Sequence, residues 1–141
     1  MKKTAVIYWS GTGNTEAMAN AVLEGMKAAG AEATLLTPDQ VDASALSDYD
    51  AIAFGCPAMG SEVLEEMDFQ PMFDACKNML SGKRVALFGS FGWGDGQWMR
   101  DWESDCGNAG ISLTCESVTC CETPDDAALA ACRELGKVLA G

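Results

Sequence analysis

Apolar residues recur along this chain in two rhythms. Five short β-rich runs, Thr4–Trp9, Glu32–Leu36, Ala51–Gly55 ("AIAFG"), Arg84–Gly89 ("RVALFG") and Ile111–Val118, stand apart from stretches where apolar positions fall three and four residues apart. Met18, Val22, Leu23 and Met26 give such a stripe to Glu16–Ala29, which ends at Gly30. Asp68–Leu80, Gln97–Asn108 and Asp125–Leu139 read as helices too, with Pro71 in a first turn where its missing N–H is tolerated. "TPDQVDASALSDY", between the second and third runs, reads as a loop with at most a short helix.

Strands alternating with helices predict an α/β fold: a doubly wound, five-stranded parallel sheet. Parallel neighbours need crossovers, and right-handed crossovers distribute the helices over both faces. No linker, repeat or low-complexity segment interrupts the pattern, so residues 1–141 are expected to form a single domain.

Composition then narrows the chemistry. The chain is 48% hydrophobic, enough for a buried core, and carries a net charge of −12 from 21 acidic and 9 basic residues. That balance argues against nucleic acid or an anionic membrane as partner and favours basic protein surfaces. No apolar run approaches the ~18–20 residues of a membrane span, and "MKKTAVIY" has too short an apolar stretch for a secretory signal, so a cytoplasmic protein is expected. Histidine is absent, which disfavours triad hydrolysis and His-based zinc sites. Seven cysteines, at 56, 76, 106, 115, 120, 121 and 132, form no C-x-x-C pair and no even disulfide set. They are expected as small buried hydrophobes, with adjacent Cys120 and Cys121 the pair to watch for oxidation.

In open parallel sheets, ligands bind beyond the carboxyl ends of the strands. Three loops leaving such ends carry unusual chemistry: "SGTGNT" (Ser10–Thr15), "CPAMGSE" (Cys56–Glu62) and "SFGWGDGQW" (Ser90–Trp98). In the first, Gly11 and Gly13 let backbone N–H groups approach an anion, Ser10, Thr12 and Thr15 add hydroxyls, and a helix begins nearby. With no lysine or arginine in it, the loop suits one phosphate monoester better than a triphosphate with Mg²⁺. A glycine turn capped by Asn14 or Thr12 is the plainer reading of the same residues. Met59 and Trp93 offer two sides of a slot for a flat ring, and Gly60, Gly92 and Gly94 let backbone amides reach its edge; either side chain also reads as ordinary core. Glu62 is placed to accept an imide-like N–H, or else is a solvated charge.

Taken in order, these loops resemble those of the short-chain flavodoxins over essentially the whole chain. SGTGNT matches the family's T/S-x-T-G-x-T phosphate loop, "GCPAMGSEVLEE" resembles its second loop and "GSFGWGDGQWMRDWE" its third. The resemblance implies strand order 2-1-3-4-5 and non-covalent FMN. Its phosphate would lie on Ser10, Gly11, Thr12, Gly13, Asn14 and Thr15. Its ring would lie between Met59 and Trp93, with Pro57, Ala58, Gly60, Ser61, Glu62, Ser90, Phe91, Gly92, Gly94 and Asp95 around it. The Gly60–Ser61 peptide is expected to turn a carbonyl toward flavin N5–H after one-electron reduction, and Glu62 to receive N3–H; Asp95 and Glu122 are expected near the ring's edge.

The same resemblance implies a low-potential one-electron carrier working mainly on the semiquinone/hydroquinone couple, with no catalytic and no metal-binding residue. It would be a monomer that docks on basic surfaces of reductases and low-potential oxidoreductases. Two other readings stand beside it. An NAD(P)H-dependent quinone reductase on the same fold would need extra length or a cation beside the slot. A phosphate-binding or signalling module without flavin would be colourless.

Overall fold

Successive residues of the central strands point alternately into two separate cores. In the computed structural model, which describes residues 2–60, 63–92 and 94–141, five parallel strands form one sheet. They are β1 (Lys3–Tyr8), β2 (Glu32–Leu36), β3 (Ala51–Gly55), β4 (Arg84–Phe91) and β5 (Val118–Cys121), in the expected order β2-β1-β3-β4-β5. Ala5, Ile7, Ile52, Phe54, Val85 and Leu87 face one core, and Val6, Tyr8, Ala51, Ala53, Ala86 and Phe88 the other. A sheet buried on both faces needs apolar residues at every strand position, which is why these runs are nearly continuous.

The first core is closed by α2 (Phe69–Cys76) and α3 (Gln97–Asn108), the second by α1 (Asn14–Ala28) and α4 (Asp126–Ala140). Phe69 and Phe73 of α2 each meet the indole of Trp102 of α3 edge-to-face, with centroids 5.5 and 5.6 Å apart. Across the other face α1 and α4 approach until their backbones touch. A Cβ on Gly25 would strike the Arg133 carbonyl, and one on Gly136 the Val22 carbonyl.

Most elements fall within two residues of their expected bounds. The expected helix 68–80 is shorter: α2 stops at Cys76 and a 3₁₀ turn, Lys77–Met79, follows it. The second-to-third connection contains two 3₁₀ turns, Pro38–Gln40 and Ala43–Asp48. The fifth strand is a correction. Expected over Ile111–Val118, it forms only from Val118, and Leu113 contributes an isolated bridge to Val85. A bend at Thr114–Cys115 breaks the alternation, and pairing resumes with Val118 opposite Phe88 and ends with Cys121 opposite Phe91. The strand therefore ends three residues later than expected, which carries Glu122 to the loop end of the sheet.

Register sets the loops level. Tyr8 pairs with Gly55 and Gly55 with Phe88, so the chain leaves β1 and β3 at the same height. Backbone bonds continue the ladder beyond the strands: Trp9 N–H to Gly55 (3.0 Å), Cys56 N–H to Phe88 (3.2 Å) and Ala58 N–H to Ser90 (3.0 Å).

Candidate cofactor-binding site

The first loop, Ser10–Thr15, holds its own shape. Ser10 Oγ accepts the Gly13 N–H at 3.1 Å and Thr12 Oγ1 accepts the Asn14 N–H at 3.4 Å. Gly13 stands at the N-cap of α1 with φ of 95°, left-handed backbone that favours glycine, and has no side chain with which to cap the helix. With only the Asn14 N–H met, by Thr12, the 15-residue helix presents its other first-turn amides and the positive end of its dipole to the loop. A phosphate supplies the missing acceptor, so these residues fit the group the sequence suggests. Thr15 is buried, and its hydroxyl lies 2.9 Å from that of buried Ser90, joining the first loop to the third.

The second loop is fixed at its base. The Cys56 carbonyl accepts the indole N–H of Trp98 at 3.1 Å, and Met59 N–H donates to Val63 O at 2.9 Å. Gly89 permits this approach, since a Cβ there would run into the Cys56 carbonyl. Burial pushes the Cys56 thiol up to about 12, so it stays a neutral thiol.

The three loops meet around a cavity of about 310 Å³. Thr12 and Asn14 line it from the first loop, Pro57, Ala58, Met59 and Gly60 from the second, and Ser90, Phe91 and Gly92 from the third. Glu122, expected near the ring's edge, lines it too; its backbone has φ of 60° and its N–H donates to Phe91 O at 2.7 Å. Ser10, Gly11 and Gly13 border instead a larger cavity of about 620 Å³, shared with Glu16, Asp39 and Asp68. Three carboxylates thus face that space, and Glu16 is engaged by the Tyr8 hydroxyl at 3.1 Å. Burial, together with that contact, raises the Tyr8 pKa.

Gly94 and Asp95 are exposed and line neither space; Asp95 pairs with Arg100 at 2.9 Å. Ser61, Glu62 and Trp93 lie outside the described residues. Gly60 does not have left-handed φ, and a Cβ on it would meet none of the described residues within 4 Å. Sequence reasoning passed over Trp98 as a loop anchor and Glu65 altogether, because nothing in "EVLEE" marks one carboxylate as buried.

Fold and site together define a doubly wound α/β protein whose three loops at the carboxyl ends of β1, β3 and β4 enclose one cavity, with no lysine or arginine lining it among the described residues. The family model for flavodoxin matches residues 6–136. Flavodoxins of Clostridium beijerinckii and Megasphaera elsdenii are each 42% identical to it over 135 residues, covering 96% of this chain and 97% and 96% of theirs. The solution structure of two-electron reduced Megasphaera elsdenii flavodoxin matches with a TM-score of 0.89 over 97% of this chain and 98% of that one. The chain belongs to the flavodoxin family. It is an FMN-based electron carrier that serves other redox proteins, not an enzyme.

Proposed function

We propose that this flavodoxin holds FMN with its phosphate on Ser10–Thr15 and its ring in the cavity between the second and third loops. Convergence of three strand-end loops on one cavity, beside the N-terminus of α1, is the observation that carries the reading. Met59 and Trp93 flank the ring, backbone of Pro57, Ala58, Gly60, Ser61, Ser90, Phe91 and Gly92 surrounds it, and Glu62 accepts its imide N–H. FMN, once bound, supplies the one-electron chemistry; the chain tunes its potentials.

The tuning is toward low potential. Among the described residues no lysine or arginine lines the cavity, and Glu122 does. A carboxylate about 12 Å from an added negative charge opposes it by roughly 0.3–0.4 kcal/mol in high dielectric, and apolar flanks that exclude water add to this.

Charge is also polarised along the molecule. Lys2, Lys3, Lys83 and Arg84 stand at the amino ends of strands, and Lys27 and Lys137 at the carboxyl ends of α1 and α4, the pole opposite the loops. Glu16, Asp39, Glu66, Asp68 and Glu122 surround the loop pole, where Asp95 is paired with Arg100, while Glu32 and Asp50 are acidic residues at the other pole. A basic partner surface is steered toward the exposed edge at Gly60 and Gly92. The working form is a single-domain monomer in the reducing cytoplasm, in keeping with seven free cysteines. No helix of the described residues is long and apolar enough to cross a membrane.

Titration of apoprotein with FMN, followed by stepwise dithionite reduction, tests the assignment. One FMN per chain and reduction in two resolved one-electron steps are expected. Failure to take up FMN overturns the site, and bleaching by NADH alone would favour the quinone-reductase reading.

A further inference from the structure

Glu65 lies just past the loop that carries Met59 and Gly60, and its side chain is only 4% exposed. Its carboxylate accepts the backbone N–H groups of Met67 (2.9 Å), Asp68 (2.7 Å) and Phe69 (2.8 Å). Asp68, the N-cap residue of α2, makes no capping bond with its own side chain. Glu65 caps the helix in its place. The Glu65 N–H donates to Cys56 Sγ at 3.4 Å, and its carbonyl accepts the Gln70 N–H at 2.8 Å. The chain leaving β3 at Cys56 and the chain arriving at Glu65 are therefore joined at one point.

Burial raises the pKa of this carboxyl, but the N–H bonds from Phe69, Asp68 and Met67 outweigh burial and hold it below the ordinary glutamate range. A serine or aspartate cap at the surface satisfies a helix end without burying a charge. What a surface cap lacks is a connection to the loop. Only a residue at the loop's foot, with its side chain on the helix and its backbone on Cys56, fixes one against the other.

We propose that Glu65 is a positioning residue for the redox behaviour of the bound cofactor. By clasping α2 to the foot of segment 57–64 it holds Met59–Gly60 where the backbone addresses the ring, without touching the ring itself. The proposal rests on FMN lying against that loop, the reading given under the proposed function.

Two variants separate the clasp from the charge. Glu65→Asp keeps the charge and shortens the reach; Glu65→Gln keeps the length, removes the charge and loses part of the acceptor set. Both one-electron potentials of the FMN-loaded protein are measured, together with hydrogen exchange of the Met59 and Met67–Phe69 amides. In both variants the potential for the first electron is expected to fall, by a factor of several to about tenfold in the equilibrium (roughly 59 mV at tenfold), and the Met59 amide to exchange faster.

A first-electron potential unmoved in both variants, with faster exchange only at 67–69, overturns the proposal and leaves a helix cap. A rise confined to the second potential in Glu65→Gln and absent in Glu65→Asp is the signature of removed charge and overturns it too. Should neither variant fold, Cys56→Ala frees the loop's foot without altering the carboxylate, and an unmoved first-electron potential there overturns the proposal. Wild-type protein that takes up no FMN would sink the site assignment instead, and Met59 exchange would still report on the clasp.

Discussion

The hydroxyls of Thr15 and Ser90 lie 2.9 Å apart, both buried, and tie the first turn of α1 to the end of β4. A hydroxyl left without a partner in such a place costs about 1–3 kcal/mol. Thr15→Val keeps the shape and strands Ser90; Ser90→Ala strands Thr15. Each single variant should therefore lose more stability in urea unfolding of the apoprotein than half the loss of the double variant. Strictly additive losses would show that the two hydroxyls do not support one another.

Gly136 gives α4 its close approach to α1, since a Cβ there would meet the Val22 carbonyl and sit 3.0 Å from the Met26 nitrogen. Backbone has little room to yield, so Gly136→Ala should destabilise by about 1–3 kcal/mol, although alanine is the better helix former by roughly 1 kcal/mol. A melting temperature equal to or above wild type would mean that the helices part without penalty.

These two features mark the limit of what the chain discloses on reading. Strand and helix rhythm, and the loops at Ser10 and Met59, are local patterns, legible because each is set by neighbours within a few residues. Gly25 and Gly136 look like faults in amphipathic helices until the other helix is in place. The fifth strand is misplaced on reading because "ISLTCESV" alternates acceptably; only the bend at Thr114–Cys115, imposed where the chain rejoins β4, shows that pairing begins at Val118. Glu65 is one carboxylate of several in sequence and a buried hydrogen-bond hub in space.

Thiol reactivity should be confined to one position. Burial pushes Cys56, Cys106 and Cys132 up to about 12 and Cys76 to about 11, and it also raises Cys115 and half-buried Cys120. Cys121 is the exposed cysteine. Native protein at neutral pH is expected to release about one equivalent of chromophore rapidly from an aromatic disulfide reagent, and Cys121→Ser to release almost none. Fast labelling that survives Cys121→Ser would place the reactive thiol elsewhere, with Cys120 the next to test.

Alanine at position 60 separates the described conformation from the turned one. Here Gly60 is exposed, its φ is not left-handed and a Cβ meets none of the described residues, so Gly60→Ala should leave apoprotein stability within about 0.5 kcal/mol of wild type. A left-handed turn of the peptide toward the reduced ring would cost alanine about 1–2 kcal/mol, roughly 40–90 mV for one electron. Spectroelectrochemical titration should show the two potentials closer together by that amount. An unchanged separation would remove residue 60 from the control of the first electron.

Glu65 also gives the protein an acid limit. Its carboxyl is held below the ordinary glutamate value of 4.5 by the three amides of the α2 end, despite burial, so the folded state binds its proton less readily than the unfolded chain. A depressed folded pKa contributes stability that is fully present above the unfolded value and is lost as pH falls through the folded one. The apoprotein should therefore lose stability progressively below about pH 4.5. Glu65→Gln, with no carboxyl to titrate, should be less stable than wild type at pH 7 and approach it as pH falls. Stability curves that run parallel between pH 7 and the acid transition would mean that the buried carboxylate does not couple folding to protonation.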